Sequence, residues 1–144
     1  MEPDDAIAND LRDRIAASPF HSGFGVTIED ARRGEVRLGW VANPEHRNLQ
    51  GLVHGGVLAT LVDIAMGLAV RSAVGTKRRH VTIDLSIHYL RPTRPGRMEA
   101  IGTTTRVGSQ IAFAEGTVVD AAGRAVVRAS GTYSVTADRE ATGG

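Results

Sequence analysis

The amino-acid sequence predicts an α+β domain in which one antiparallel sheet packs against one long helix. An apolar segment of helical length runs from about Gly55 to Arg71. After it come four segments in which polar and apolar residues alternate: 80–90, 97–107, 110–119 and 125–136. Short turn sequences separate these segments, and consecutive strands with short connections form an antiparallel meander. At 144 residues, the chain has the length of a single domain.

The N-terminal region, residues 1–19, predicts a further helix that is amphipathic and covers about 4–17. Ile7, Leu11 and Ile15 recur at every fourth position, which places them on one helix face. Two aspartates precede them, where the positive end of the helix dipole favours acidic side chains. This helix is expected to pack on the domain and is assigned no other role.

A β-hairpin is predicted between the two helices. Residues 24–30 and 35–42 alternate in polarity, and a turn sequence ending in Gly34 separates them. An irregular loop, residues 43–54, then leads into the long helix. The segment 138–144 at the end of the chain is expected to fray.

Composition excludes several classes of protein. With 42% apolar and 23% charged residues the chain is not a disordered one, and without cysteine it has no disulfide, thiolate metal site or cysteine nucleophile. Serine-hydrolase, phosphate-loop and dinucleotide motifs are absent, and the histidine spacing implies no metal.

The acidic start is unlike a signal peptide, so a cytoplasmic location is expected. The apolar stretch 55–70 is too short to span a bilayer, so no membrane partner is expected.

Charge is unevenly distributed along the chain. The segment 71–97 holds seven basic residues and one acidic residue, although the whole chain has a net charge of only +1. Such segregation indicates a local anionic partner, with solvated loop arginines as the alternative. Tyr89 is the one aromatic residue in this segment, and the chain is not basic overall, so a nucleic acid is not the expected partner.

The long helix predicts a homodimer. From Val57 to Val70 its apolar residues lie on every side, so the helix should be buried all round. One sheet covers only about half of a helix, and a second copy of the chain is the simplest cover for the rest.

Asp63 is the one charged residue between Gly55 and Val70, and it is the first candidate for chemistry. A buried carboxylate is costly unless it has partners or a purpose. The functional interpretation is a carboxylate that acts as a base or nucleophile. The alternative is a structural aspartate that is hydrogen-bonded to a neighbouring loop.

The second candidate is the His54-Gly55-Gly56 sequence at the start of the same helix. Two glycines leave backbone N–H groups uncovered at the positive end of the helix dipole, an arrangement suited to a developing oxyanion. A plain glycine-rich helix entry is the alternative. Asp63 lies eight residues beyond Gly55, roughly 12 Å along the axis, so it cannot reach a carbonyl held at its own helix start. Antiparallel helices in a dimer would bring Asp63 of one chain to Gly55 of the other.

These residues resemble the hotdog-fold acyl-CoA thioesterases of the phenylacetyl-CoA type. The resemblance covers about residues 24–136 and is most specific from Asn48 to Pro95, with the pattern N-x5-HGG-x6-D followed by T-x-D-x4-Y-x-R-P. It implies a hotdog fold, in which one curved antiparallel sheet wraps around the central helix. It also implies a homodimer that assembles into a homotetramer, and hydrolysis of acyl-CoA to a free acid and coenzyme A. No cofactor is implied, because coenzyme A is part of the substrate.

The resemblance implies a role for each matching residue. Asp63 matches the catalytic carboxylate, Gly55 the N–H group that polarises the thioester carbonyl, and His54 the residue that supports this turn. Asn48 matches a residue that places the nucleophile or substrate across the interface. Thr82 matches a hydroxyl that holds water beside the carboxylate, although the alternation of its strand assigns Thr82 to the polar face.

The substrate-binding residues follow from the negative charge of coenzyme A. Its phosphates would be recognised by basic side chains near the cleft, with Gly56 at the helix start. The candidates are Lys77, Arg78, Arg79, Arg91 and Arg94. Two other functions stay open: a hotdog hydratase or dehydratase, and a non-catalytic acyl-CoA-binding protein. The sequence also leaves open the acyl group, coenzyme A against an acyl-carrier protein, the base or nucleophile role of Asp63, and dimer against tetramer.

Overall fold

The fold was analysed in a computed structural model that describes residues 4–138. Within that range the chain forms three α-helices and six strands: α1 (Asp5–Ala17), α2 (Pro19–Phe24), β1 (Thr27–Arg32), β2 (Glu35–Ala42), α3 (Gly55–Val74), β3 (Arg78–Tyr89), β4 (Gly96–Val107), β5 (Ile111–Asp120) and β6 (Ala125–Ala137). A 3-10 turn, Pro44–His46, lies in the loop before α3. Apart from Asp138, the segment expected to fray lies outside the described residues.

The first helix forms where the sequence predicts. The Asp4 carboxylate caps it by accepting hydrogen bonds from the Ala6 and Ile7 N–H groups at 3.0 and 3.2 Å. Leu11 and Ile15 are buried, so the predicted apolar face does pack on the domain.

A short helix that the sequence analysis did not anticipate follows α1. The Ser18 hydroxyl caps it by accepting from the His21 N–H, and Pro19 occupies its first position, where no N–H partner is needed. Gly25, at a positive φ of 90°, ends α2. The prediction that a strand begins at residue 24 is therefore wrong, and β1 begins at Thr27.

All six strands form one antiparallel sheet in the order β1-β2-β4-β5-β6-β3. The predicted meander is confirmed for β4, β5 and β6 but is wrong for β3, which pairs with β6 at the sheet edge instead of with β4. The connection between β3 and β4 passes the start of α3, where the Thr93 carbonyl accepts from the Val53 N–H at 2.9 Å. Pro92 and Pro95 in this connection lack the donors that a continuing ladder would need.

The long helix α3 lies against the inner face of this curved sheet and contacts strands β2 to β6. Two glycines on the sheet allow its close approach. A Cβ atom at Gly102 would lie 2.2 Å from the Ala65 carbonyl oxygen, and one at Gly116 would lie 2.6 Å from a Val62 methyl group. The helix backbone at Ala65 and Met66 therefore rests directly on β4.

Part of α3 is covered by its own chain. Residues 61–71 are buried except for half-buried Asp63, and α1 contributes to the cover, since Ile15 lines a cleft together with Ile64 and Leu68. A second copy is therefore not needed to cover this half of the helix, and the homodimer remains a prediction. The N-terminal half differs, because Gly56 is exposed and its neighbours are only partly covered.

A β-bulge in β3 changes which side chains face α3. Thr82 pairs with Tyr133 and Asp84 with Thr132, so Ile83 is an extra residue in the strand. The uniform alternation predicted for 80–90 is wrong because side chains before and after the bulge follow opposite phases. Thr82 faces the helix, while Ile83 is 56% exposed on the outer side.

The length of α3 also corrects an expectation about membranes. The helix extends to Val74, and with 20 residues it is long and apolar enough to cross a bilayer by length and composition. The expectation that the segment is too short is therefore wrong. However, 61% of the most apolar 18-residue stretch of α3 is buried inside the chain, as in a helix that forms the core of a sheet-wrapped domain.

Candidate active site

Asp63 lies on α3 facing β3 and β6, which supply its hydrogen-bond donors. Its Oδ1 atom accepts from the Thr82 hydroxyl at 3.0 Å and from the Tyr133 hydroxyl at 2.9 Å. No donor from residues 4–138 bonds Oδ2. Two hydroxyl groups therefore orient the carboxylate and leave one oxygen available to water or a ligand.

Sequence reasoning did not select Tyr133 as a site residue. It is fully buried on the inner face of β6, between residues that are otherwise apolar or glycine. A buried tyrosine hydroxyl usually finds a partner, and this was the signal available in the sequence. Burial, followed by the nearby negative charge of Asp63, raises the pKa of Tyr133 above its ordinary value, so the hydroxyl remains a donor at neutral pH.

His80 also lines the cleft beside Asp63. Its ring lies 6.0 Å from the Tyr133 ring, centroid to centroid, and against Gly67 of α3. Burial lowers the pKa of His80, and the positive charge of Arg71 lowers it further. The imidazole is therefore neutral near pH 7.

The start of α3 presents one free backbone donor. His54 Nδ1 accepts from the Gly56 N–H at 2.9 Å, so the predicted substrate contact through Gly56 already has a partner in this chain. The Gly55 N–H has no acceptor within residues 4–138, while the Gly55 carbonyl accepts from the Tyr89 hydroxyl at 2.7 Å. Gly55 thus offers an N–H group at the positive end of the helix dipole.

Asn48 shapes the loop that precedes this helix. Its Oδ1 atom accepts from the Gln50 and Leu52 N–H groups at 2.9 and 3.1 Å. Its amide nitrogen donates to nothing in the described part of the chain. The loop therefore fixes Asn48 through its oxygen and leaves the NH2 group available.

The structure groups the predicted residues into two sets. Asp63 and Thr82 form one set, and Gly55 with His54 at the helix start forms the other. Gly55 and Asp63, one from each set, lie eight residues apart on α3, which is roughly 12 Å along the axis. A single chain therefore does not bring the carboxylate to the Gly55 N–H.

A cleft of about 580 Å³ opens beside Asp63, between α1 and α2 on one side and α3 and β3 on the other. Along α3 it extends from Thr60 to Arg71, and Ile15, Ile64 and Leu68 contribute apolar wall. Within residues 4–138, no three histidine or carboxylate side chains are grouped as a metal site would require.

The five predicted basic residues lie at two separate places. Lys77, Arg78 and Arg79 lie where β3 begins, next to the C-terminus of α3. Arg91 and Arg94 lie beyond the other end of β3, in the connection that passes the start of α3, and both are exposed. They do not form one patch within a chain, so their contact with coenzyme A phosphates remains a prediction.

Some of these basic groups have protein partners. Arg79 forms an ion pair with Asp138, with 2.5 Å between Nε and Oδ1, and lines the Asp63 cleft. Arg78 donates a hydrogen bond to the Ser109 carbonyl.

Arg71 is a further basic residue of the cleft and was not predicted as a site residue. Only 8% of it is exposed. Its guanidinium group donates to the Arg78 carbonyl and, at 3.1 Å, to the Thr76 carbonyl. Burial, and then the positive charge of Arg14, lower the pKa of Arg71 from its ordinary value.

The sheet wrapped around α3, with the Asp63 carboxylate beside a cleft, defines a hotdog-fold protein. A sequence profile described as the Thioesterase superfamily matches residues 50–127. This match covers more than half of the sequence, and the chain belongs to the thioesterase superfamily.

Individual relatives agree with this assignment. A provisionally named esterase of Halobacterium salinarum is 46% identical over 127 residues, which cover 83% of this chain and 81% of that protein. The medium/long-chain acyl-CoA thioesterase YigI of Escherichia coli is 27% identical over 132 residues, which cover 81% of this chain and 85% of that protein. The solved structure of the Escherichia coli PaaI protein, from the phenylacetic acid degradation operon, has a TM-score of 0.82 at 19% identity. The match covers 89% of this chain and 91% of that protein.

These comparisons confirm the predicted hotdog fold and the relationship to thioesterases. Thioester hydrolysis is the general activity that the family and its acyl-CoA thioesterase members support. At 19% identity the likeness to PaaI shows a shared fold alone, so the phenylacetyl-CoA type remains a prediction.

Proposed function

We propose that this protein hydrolyses acyl-CoA thioesters to a free acid and coenzyme A, with Asp63 assisting attack on the thioester carbonyl. The observation that carries the proposal is the geometry of Asp63. Hydrogen bonds from Thr82 and Tyr133 hold Oδ1, and Oδ2 has no donor from the described chain. Oδ2 is the atom that takes a proton from attacking water, or that itself bonds to the carbonyl carbon.

The reaction balances without a cofactor. In the direct route, water adds to the carbonyl carbon and the C–S bond breaks. In the nucleophilic route, Asp63 displaces the thiolate to form a mixed anhydride, which water then cleaves to the free acid and the Asp63 carboxylate. Coenzyme A leaves as the thiol after gaining a proton. Negative charge develops on the carbonyl oxygen, and a backbone N–H at a helix N-terminus stabilises such a charge.

The N–H group in this proposal is Gly55 of a partner subunit. Gly55 and Asp63 of one chain are separated by two turns of α3, whereas an antiparallel α3 from a second copy places Gly55 of one chain near Asp63 of the other. The Gly55 N–H and the Asn48 NH2 group, which have no partner within residues 4–138, then both serve the partner's carboxylate. The proposed unit is thus a homodimer with two composite sites.

Release of coenzyme A thiol from a panel of acyl-CoA esters tests the activity. A positioned base contributes about 10²- to 10⁴-fold, so Asp63→Asn should lose most of the turnover while remaining folded. Thiol release by a folded Asp63→Asn protein at the wild-type rate would refute the role of Asp63. Binding of acyl-CoA without thiol release would identify a non-catalytic binding protein instead.

Mixed dimers test the composite site. Asp63→Asn chains are mixed with Asn48→Ala chains, each inactive alone. After subunit exchange, a mixed dimer contains one site with both residues intact and should recover activity. Exchange that is verified by mass labels but restores no activity would exclude a site shared between subunits.

A further inference from the structure

The far end of the Asp63 cleft holds a buried positive charge without a carboxylate partner. Arg71 lies eight residues from Asp63 on α3, roughly 12 Å along the axis, and both residues line the cleft. Arg71 forms no ion pair with any carboxylate in residues 4–138, and its buried Nε atom has no hydrogen-bond acceptor there.

Two other arginines of this cleft differ from Arg71 in this respect. Arg14 pairs with Asp10 at 3.0 Å and Arg79 pairs with Asp138 at 2.5 Å, and all four side chains are at least 40% exposed. A buried charge is normally paired, because removal from water is costly. Asp10 and Asp138 attract the charge of Arg71 only from beyond ion-pair distance, since both are paired with the other two arginines. Arg71 is thus the charge in the cleft that a bound anion could compensate directly.

The cleft between the two charged ends is lined mainly by apolar surface. Ile64 and Leu68 lie between Asp63 and Arg71 on α3, and Ile15 of α1 lines the same cleft. The imidazoles of His21 and His80 are polar groups in this lining. A ligand that fits this order has a thioester at one end, a hydrocarbon chain in the middle and an anion at the other end.

We propose that the acyl group of the substrate ends in a carboxylate, so that the substrates are coenzyme A monothioesters of dicarboxylic acids. This inference rests on the proposed thioesterase function and adds a substrate class to it. The distal carboxylate pairs with Arg71 while the thioester lies at Asp63. An acyl chain ending in a methyl group fills the same wall but leaves Arg71 without a counter-ion.

Arg71 also has a structural role, which the test must separate from binding. Its bonds to the Thr76 and Arg78 carbonyls join the C-terminus of α3 to the start of β3. Loss of these bonds would weaken hydrolysis of every substrate alike. Loss of an anion-binding group would change the ratio between a carboxylated and an uncarboxylated substrate of equal length.

The experiment compares kcat/KM for suberyl-CoA and octanoyl-CoA, which differ only at the distal carbon. Wild type should favour suberyl-CoA by about tenfold to hundredfold, the range expected for a hydrogen bond to a charged group. Arg71→Met should abolish this preference. Arg14→Gln, which removes a cleft arginine that already has a carboxylate partner, should retain it.

Wild-type preference for octanoyl-CoA, or an Arg71→Met protein with an unchanged ratio, would overturn the proposal. If Arg71→Met does not fold, calorimetric titration of wild type with monomethyl suberate and methyl octanoate decides, because the methyl ester stands in for the thioester and only the first ligand has a distal carboxylate. Monomethyl suberate should bind at least about tenfold more tightly. The same titration applies if no acyl-CoA releases thiol, an outcome that would refute the proposed function separately. Equal affinity for the two esters would refute the role of Arg71.

Discussion

The Tyr133 hydroxyl lies 2.9 Å from Asp63 Oδ1 and shares that oxygen with the Thr82 hydroxyl at 3.0 Å. The two donors come from adjacent strands, β6 and β3, which pair at this position. The carboxylate is thus oriented by the edge of the sheet, whereas its own position is set by α3. Helix and sheet must keep their relative placement for Oδ2 to face the cleft.

Tyr133→Phe should reduce thioester hydrolysis without unfolding the protein. The substitution keeps the buried ring and removes one donor to a carboxylate, a hydrogen bond worth about 1.5–3 kcal/mol, so kcat/KM should fall by about tenfold to hundredfold. Thr132→Val, which changes the neighbouring strand position, is the matched control and should retain activity. Steady-state thiol release measures both, and an unchanged kcat/KM for Tyr133→Phe would contradict the role of Tyr133.

His54 is expected to act as a helix cap. His54 Nδ1 accepts from the Gly56 N–H, and loss of an N-cap acceptor costs about 0.5–2 kcal/mol. His54→Asn supplies another acceptor at this position and should retain stability and turnover, whereas His54→Ala should lower both. Urea denaturation and thiol release distinguish the two variants.

Equal loss of turnover in His54→Asn and His54→Ala would instead indicate that the imidazole transfers a proton. If His54→Asn lost as much turnover as His54→Ala while keeping wild-type stability, the cap alone would not explain the residue. The exposed position of His54 allows both variants to fold.

The sequence was sufficient for most of the fold because its signals are local. Alternation along β4, β5 and β6 and the apolar length of α3 predict elements within a few residues of their observed bounds. The partner of β3 could not be found in this way. Pairing of β3 with β6 depends on how the sheet curves around α3, which is a property of the whole chain.

For the candidate site, too, residues with a local signal in the sequence were found, and residues that depend on the folded chain were missed. Asp63 and Gly55 stand out in the sequence because one charge interrupts an apolar helix and a glycine pair begins it. Thr82 was assigned to the polar face because alternation alone does not reveal the bulge at Ile83, which shifts the phase of the strand. Arg71 was counted only within a basic segment, since burial is not visible in a sequence.

Stability should depend on pH through His80. Burial and the charge of Arg71 lower its folded-state pKa, Arg14 and His21 act in the same direction, and Asp63 opposes them. Between this lowered pKa and the unfolded value of about 6.5, the unfolded chain binds more protons, so the free energy of unfolding falls as the pH falls. Urea titrations of wild type at about pH 7.5 and pH 5 should show this loss.

Variants of two histidines isolate the effect of His80. His80→Gln carries no titrating group and should flatten the pH dependence, whereas substitution of the exposed His88 on the same strand measures the background contribution of a surface histidine. A His80→Gln protein that loses as much stability at low pH as wild type would show that other groups cause the loss.

Close approach of α3 to β4 at Gly102 should be essential for both stability and activity. A Cβ atom there would lie 2.2 Å from the Ala65 carbonyl oxygen and 2.7 Å from the Met66 amide nitrogen, so helix backbone would have to move. We expect Gly102→Ala to cost about 1–3 kcal/mol or more, and to lower kcat because Asp63 moves with the helix.

Gly116→Ala provides the comparison, because its added Cβ would meet side-chain atoms of Val62 and Met66 instead of backbone. Met66 is flexible and can change rotamer, so this variant should lose less stability and keep more of the wild-type kcat. Urea denaturation and thiol release of the two variants test the difference. Equal losses would mean that crowding anywhere beneath α3, and not displacement of its backbone at Ala65, controls the geometry of the Asp63 site.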